Sequence, residues 1–63
     1  MTKRKDVLAA IARYARDNDL PLTVKEGGRH TRIWVGDRYT TVPRHNEIAN
    51  RLAAQIFKQI GMP

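Results

Sequence analysis

The sequence reads as an α+β domain in the order α-β-β-β-α, a three-stranded antiparallel sheet with two helices on one face. Apolar residues recur at helical spacing near both ends of the chain, and three short segments between them alternate apolar with polar residues. Glycine or proline stands at most of the junctions. Sixty-three residues at 7.2 kDa hold one small core, so residues 1–63 are read as a single domain. At this size roughly 60% of the unfolded chain's surface is buried on folding. A ligand therefore meets an open surface more readily than a large enclosed pocket.

The first helix is expected from Lys3 to about Asn18. Val7, Leu8, Ile11, Ala12 and Ala15 form one apolar stripe, with Tyr14 beside it and Lys5, Arg13, Arg16 and Asp17 mostly outside it. Thr2 is the expected N-cap, and Asn18-Asp19 followed by Pro21 ends the helix. Leu22–Glu26 alternates as a half-buried strand does, until Gly27-Gly28 breaks it. His30–Val35 alternates again, and Gly36-Asp37 marks a hairpin with glycine first, as a type II′ turn requires. Tyr39–Val42 is the returning strand, ended by Pro43, which has no N–H to donate. Asn46-Glu47 then suggests an N-cap and a first-turn acid. Ile48, Leu52, Ala53, Ile56, Phe57 and Ile60 form the second helical stripe, closed by Gly61 at C′.

Placing the turn at Gly36-Asp37 sets Val35 opposite Arg38, Trp34 opposite Tyr39, Ile33 opposite Thr40 and Arg32 opposite Thr41. Opposed residues share a face. One face then carries Thr31, Ile33, Val35, Thr40 and Val42, which suits a core beneath two helices. The other carries His30, Arg32, Trp34, Tyr39 and Thr41. This is the layout of a double-stranded RNA-binding domain, a topology that does not by itself transfer function. On the outward face, cations suit phosphates and rings suit unstacked bases. Trp34 and Tyr39 serve equally well as a cross-strand aromatic pair that stabilises the hairpin.

Twelve Lys plus Arg against six Asp plus Glu give a net charge of +6, with a pI near 10.6. Eight of the bases are arginine, whose planar fork grips phosphate bidentately. A field of this sign attracts polyanions, nucleic acid first among them, or an acidic protein partner. There is no cysteine, which excludes a disulfide framework and a thiolate metal site. No apolar stretch approaches the ~20 residues that span a bilayer. The basic, amphipathic N-terminal segment does not read as a secretory signal, so the expected setting is cytoplasmic.

No phosphate-cradling glycine loop, nucleophile elbow or metal-spaced cluster is present, and no two carboxylates are placed for paired acid–base work. His30 remains, directly after Gly27-Gly28-Arg29 and at the start of a strand. Histidine takes and returns a proton near neutral pH. RNA carries its own nucleophile in the ribose 2′-hydroxyl, so a histidine and several arginines suffice to cleave it. In that scheme Gly27 and Gly28 let the backbone approach a phosphate, with Arg29 and Arg32 flanking the site and Lys25 and Arg44 adding charge. Equally, His30 fits a turn position or a plain phosphate contact. His45 is a second candidate for proton transfer, though its place between Pro43 and the second helix reads as an exposed turn or cap position.

Taken together, Gly27-Gly28-Arg29-His30, the aromatic-containing strand after it and Thr41-Val42-Pro43 resemble the HicA toxins, also called the YcfA-like family. The ending Lys58-Gln59-Ile60-Gly61-Met62 is similar to the family's C-terminal helix, which typically closes Lys-Gln-Ala-Gly with an aliphatic residue. The likeness covers nearly the whole chain. Where many relatives have Gly-Ser-His-His, this chain has Gly28 and Arg29 at the middle positions. Where the second helix usually starts Pro-x-Gly-Thr, it reads Ala49-Asn50-Arg51-Leu52, which points to an earlier start at Asn46.

The resemblance implies a double-stranded RNA-binding-domain-like fold and the toxin of a type II toxin–antitoxin pair. It further implies a metal-independent mRNA endoribonuclease, with no cofactor and with His30 as general acid or base. A HicB-like acidic antitoxin would cover the His30 face and hold the toxin inactive. The residues taken alone also allow a non-catalytic RNA- or DNA-binding module, or a small basic interaction protein for an acidic partner.

Overall fold

A two-residue strand, β1 (Thr2–Lys3), leads straight into helix α1 (Arg4–Asp17) in the computed structural model, which describes residues 1–63. Strands β2 (Leu22–Glu26), β3 (His30–Val35) and β4 (Arg38–Pro43) follow. A second two-residue strand, β5 (Glu47–Ile48), precedes helix α2 (Asn50–Gln59). Strands β2, β3 and β4 form one antiparallel sheet in sequence order, while β1 pairs with β5 apart from it. The molecule is therefore an α+β fold with the expected α-β-β-β-α order. No helix is long and apolar enough to cross a membrane.

The hairpin register is the expected one: Trp34 faces Tyr39, Ile33 faces Thr40, and His30 faces Pro43. Gly36 has φ +61° while Asp37 stays at negative φ, as expected of a glycine-first tight turn. Thr31, Ile33, Val35, Thr40 and Val42 are consequently all buried. They meet Val7, Ile11 and Ala15 from α1, and Ala53, Ile56 and Ile60 from α2 and its C-terminal turn. Each fully buried isoleucine contributes roughly 1.5–3 kcal/mol relative to exposure. The buried threonine hydroxyls are satisfied: Thr40 donates to Gln59 Oε1 at 2.7 Å, and Thr31 donates to Glu26.

Several local expectations are corrected. Thr2 does not cap α1; it lies in β1, and its hydroxyl donates 2.8 Å to Asn50 Oδ1. Asn46-Glu47 does not start the second helix. The chain is extended through Glu47–Ile48, where it pairs with Thr2–Lys3, and the Arg4 N–H donates 2.9 Å to the Asn46 carbonyl. Pairing from the far end of the chain satisfies this backbone while delivering Ile48 to the core, so α2 begins only at Asn50. Its apolar stripe is then Ala53, Ile56 and Phe57, continued by Ile60, and Leu52 falls outside it, as does Ala12 of α1. Strand β2 is not half-buried, because all five of its residues are exposed. Leu22 and Val24 lie on the helix side of the sheet, opposite Val35 and Ile33, yet both stay exposed at this edge.

Candidate functional site

At the open end of the β3–β4 ladder, the loop between β2 and β3 meets the segment after β4. Gly28, Arg29, His30, Pro43, Arg44 and His45 line one shallow depression there. Two backbone hydrogen bonds fasten the loops: the Gly27 N–H donates 2.9 Å to the His30 carbonyl, and the Arg44 N–H donates 3.3 Å to that of Arg29. Arg44 also reaches back with its guanidinium, donating 3.2 Å to the Gly27 carbonyl. The rim is thus held by backbone and guanidinium contacts, and no imidazole takes part. His30 and His45 are both exposed, and neither side chain has a hydrogen bond or ion pair within the chain.

Glu26 sits beneath this rim among three partners. The Thr31 hydroxyl donates to it, Arg44 lies at 3.4 Å and Arg4 at 3.6 Å. Its carboxyl is held below the ordinary carboxylate range, first by the Thr31 hydrogen bond, against the opposing effect of desolvation, and then by the charges of Arg44 and Arg4. Arg4 in turn donates to the Thr31 hydroxyl, and donates 3.1 Å to the Pro43 carbonyl. A chain from α1 through β3 to the loop after β4 therefore braces the depression from below. Sequence reasoning missed Arg4, Glu26 and Thr31 as site supports, because their proximity depends on how α1 packs across the sheet.

The remaining candidates run along the outer sheet face away from the depression. Lys25 and Arg32 are register partners, and both approach the Trp34 ring, with Lys25 Nζ and Arg32 Cζ each 6.0 Å from its centroid. Tyr39 lies across the hairpin from Trp34, with ring centroids 5.1 Å apart and planes inclined at 42°. The cross-strand aromatic pair is therefore real, and it leaves Trp34 half-buried while Tyr39 stays 46% exposed. Tyr39 offers the more open ring of the two. At ~3.3 Å per residue, His30 and Trp34 lie roughly 13 Å apart along β3.

Two groups of predicted residues thus result. His30, Arg29, Gly28 and Arg44 come together in the depression; Lys25, Arg32, Trp34 and Tyr39 form a cationic, aromatic track leading to it. Gly27 serves the loop itself and does not line the depression. His45, an exposed residue of the bend after Pro43 as the sequence suggested, also lines this depression with His30. The signal for this is the hairpin register, which sets His30 opposite Pro43 at the end of the ladder, two residues before His45. Chemically, guanidiniums beside free imidazoles can bind a phosphate group and move protons around it. No family model, curated protein or solved structure matches this chain.

Proposed function

We propose that this chain is an mRNA endoribonuclease of the HicA toxin type. A single RNA strand lies over the outer sheet face, phosphates against Lys25, Arg29, Arg32 and Arg44, and a base against Tyr39. His30 transfers a proton at the scissile phosphate, where the ribose 2′-hydroxyl is the nucleophile. That chemistry calls for no metal or cofactor. An acidic HicB-like antitoxin competes for the same face by presenting carboxylates where the phosphates would sit.

The carrying observation is the exposed, unengaged His30 in a depression flanked by Arg29 and Arg44, at the end of a cationic and aromatic track. His30→Ala should lower cleavage of a messenger RNA in the presence of chelator by about 10²–10⁴-fold. Melting temperature and most RNA affinity should hold, since His30 is exposed and its side chain makes no hydrogen bond or ion pair. Cleavage at the parent rate by the folded variant excludes His30 as the proton-transfer group. The Lys25–Trp34–Arg32 arrangement would serve a non-cleaving RNA-binding module equally well. Tight binding of RNA that the parent protein leaves intact would establish that second function.

A further inference from the structure

The chain has only two histidines, well apart in sequence, and both line the same depression. The β3–β4 ladder ends with His30 opposite Pro43, and His45 lies two residues beyond Pro43 in the exposed bend that follows. Both histidines line the same open depression, so a phosphodiester entering it lies between two groups able to transfer protons. Gly28, which also lines the depression, contributes no side chain, and an added Cβ there would meet nothing within 4 Å. Arg29 and Arg44, bonded to each other through the backbone at 3.3 Å, flank the space with positive charge. Arg44 is further anchored by Glu26 at 3.4 Å and the Gly27 carbonyl at 3.2 Å, so one cation is held in place while both imidazoles stay free.

Resting on the ribonuclease function proposed above, we infer that His45 is the second proton-transfer residue and that His30 and His45 work as an acid–base couple. One imidazole removes the proton from the 2′-hydroxyl as that oxygen bonds to phosphorus. The P–O5′ bond breaks, and the other, protonated imidazole delivers its proton to the departing 5′-oxygen. The products are a 2′,3′-cyclic phosphate and a free 5′-hydroxyl. No water is consumed and nothing is oxidised or reduced, and the two histidines finish with exchanged protonation states. The roles require opposite protonation states, so the rate should rise and then fall with pH.

The test uses the full chain and a single-stranded RNA oligonucleotide that it cuts, with pH–rate profiles for the parent, His30→Ala, His45→Ala and His45→Gln. A second oligonucleotide carries a bridging sulfur in place of the 5′-oxygen at the cut bond, a leaving group that needs no proton. The parent should give a bell-shaped profile and cyclic-phosphate ends. Each His45 variant should keep its fold by circular dichroism, lose about 10²–10⁴-fold in rate and lose one limb of the profile. Of His30→Ala and His45→Ala, only one should recover on the sulfur-bridged RNA, and it identifies the acid.

A structural role for His45 would move neither the profile nor the sulfur response. If His45→Ala and His45→Gln cut at the parent rate with both limbs intact, the couple is overturned while the His30 function stands. Recovery of both variants on sulfur, or of neither, also overturns it. If the parent protein cuts no RNA, the ribonuclease function itself fails and the couple fails with it.

Discussion

An added Cβ at Gly27 would lie 2.7 Å from the carbonyl oxygen of His30, too close for any real contact. The same carbonyl accepts the Gly27 N–H, so backbone meets backbone here and neither can give way cheaply. Gly27→Ala should therefore cost about 1–3 kcal/mol and displace His30. Gly28→Ala should stay within about 0.5 kcal/mol of the parent, because its Cβ would point into open space. Denaturant melts of the two variants compare them directly, and equal stabilities would show that the loop opens freely. Glu26 gives a second residue-scale test. Its folded-state pKa is lowered from an ordinary 4.5, so its contribution to stability is fully present above that value. It is lost as pH falls through the lower, folded value. Glu26→Gln should lower the melting temperature at neutral pH and flatten the decline below about pH 4.5. A variant whose acid decline matches the parent's would show that the ion pairs with Arg4 and Arg44 add nothing to the fold.

Both helices end in the same way but with different residues. After α1, Asp19 takes φ +56° and donates 3.2 Å to the Arg16 carbonyl, and the Leu20 N–H reaches the Ala15 carbonyl at 2.8 Å. After α2, Gly61 takes φ +93°, and the N–H groups of Gly61 and Met62 bond to Lys58 and Phe57 at 3.1 and 3.0 Å. Each is a Schellman closure, which wants a left-handed residue at C′. Glycine adopts that conformation without Cβ strain, and aspartate does not. Asp19→Gly should raise stability by roughly 0.5–1 kcal/mol, the relief of strain being partly offset by glycine's freedom when unfolded. A thermal melt that falls on this substitution would mean the Asp19 side chain makes a contact worth more than the strain. The α2 closure is also tied across the molecule, as the Tyr14 hydroxyl donates 2.9 Å to the Gly61 carbonyl.

Over the whole molecule the net charge of +6 is unevenly effective. Arg38 opposes Val35 on the helix side, where its Nε lies close to Gly61, so it does not add to the outer face. Arg4 is committed to Glu26, Thr31 and Pro43. Lys25, Arg29, Arg32 and Arg44 remain to set the field around the depression. Arg32→Ala should weaken RNA binding and reduce the log–log salt slope by about 0.7, the change for one lost contact to a single strand. An unchanged slope in a salt titration would remove Arg32 from the RNA path. An acidic partner steered by the same field should associate more slowly as salt rises, with little change in dissociation. Stopped-flow mixing measures both rates. Association indifferent to salt would place that partner on another surface.

Much of this architecture was legible locally. The order of elements, the Gly36-Asp37 turn, the strand register and the division of the hairpin into a buried and a cationic face all follow from short-range periodicity, where neighbours in sequence are neighbours in space. His30 and the outer-face row of Arg32, Trp34 and Tyr39 were legible for the same reason. What the chain did not declare depends on contacts between its distant parts. Thr2–Lys3 captures Glu47–Ile48 and delays α2, because an extended backbone needs a partner and the only one available comes from the other end. Glu26 meets Arg4 and Arg44 because the start of α1 and the loop after β4 converge on the end of β2. His45 shares the depression with His30 only because the bend after β4 folds against the loop before β3, fastened by the Arg44–Arg29 backbone bond. Periodicity determines which way a side chain points along its own element, whereas tertiary packing alone decides which side chains from separate elements share one site.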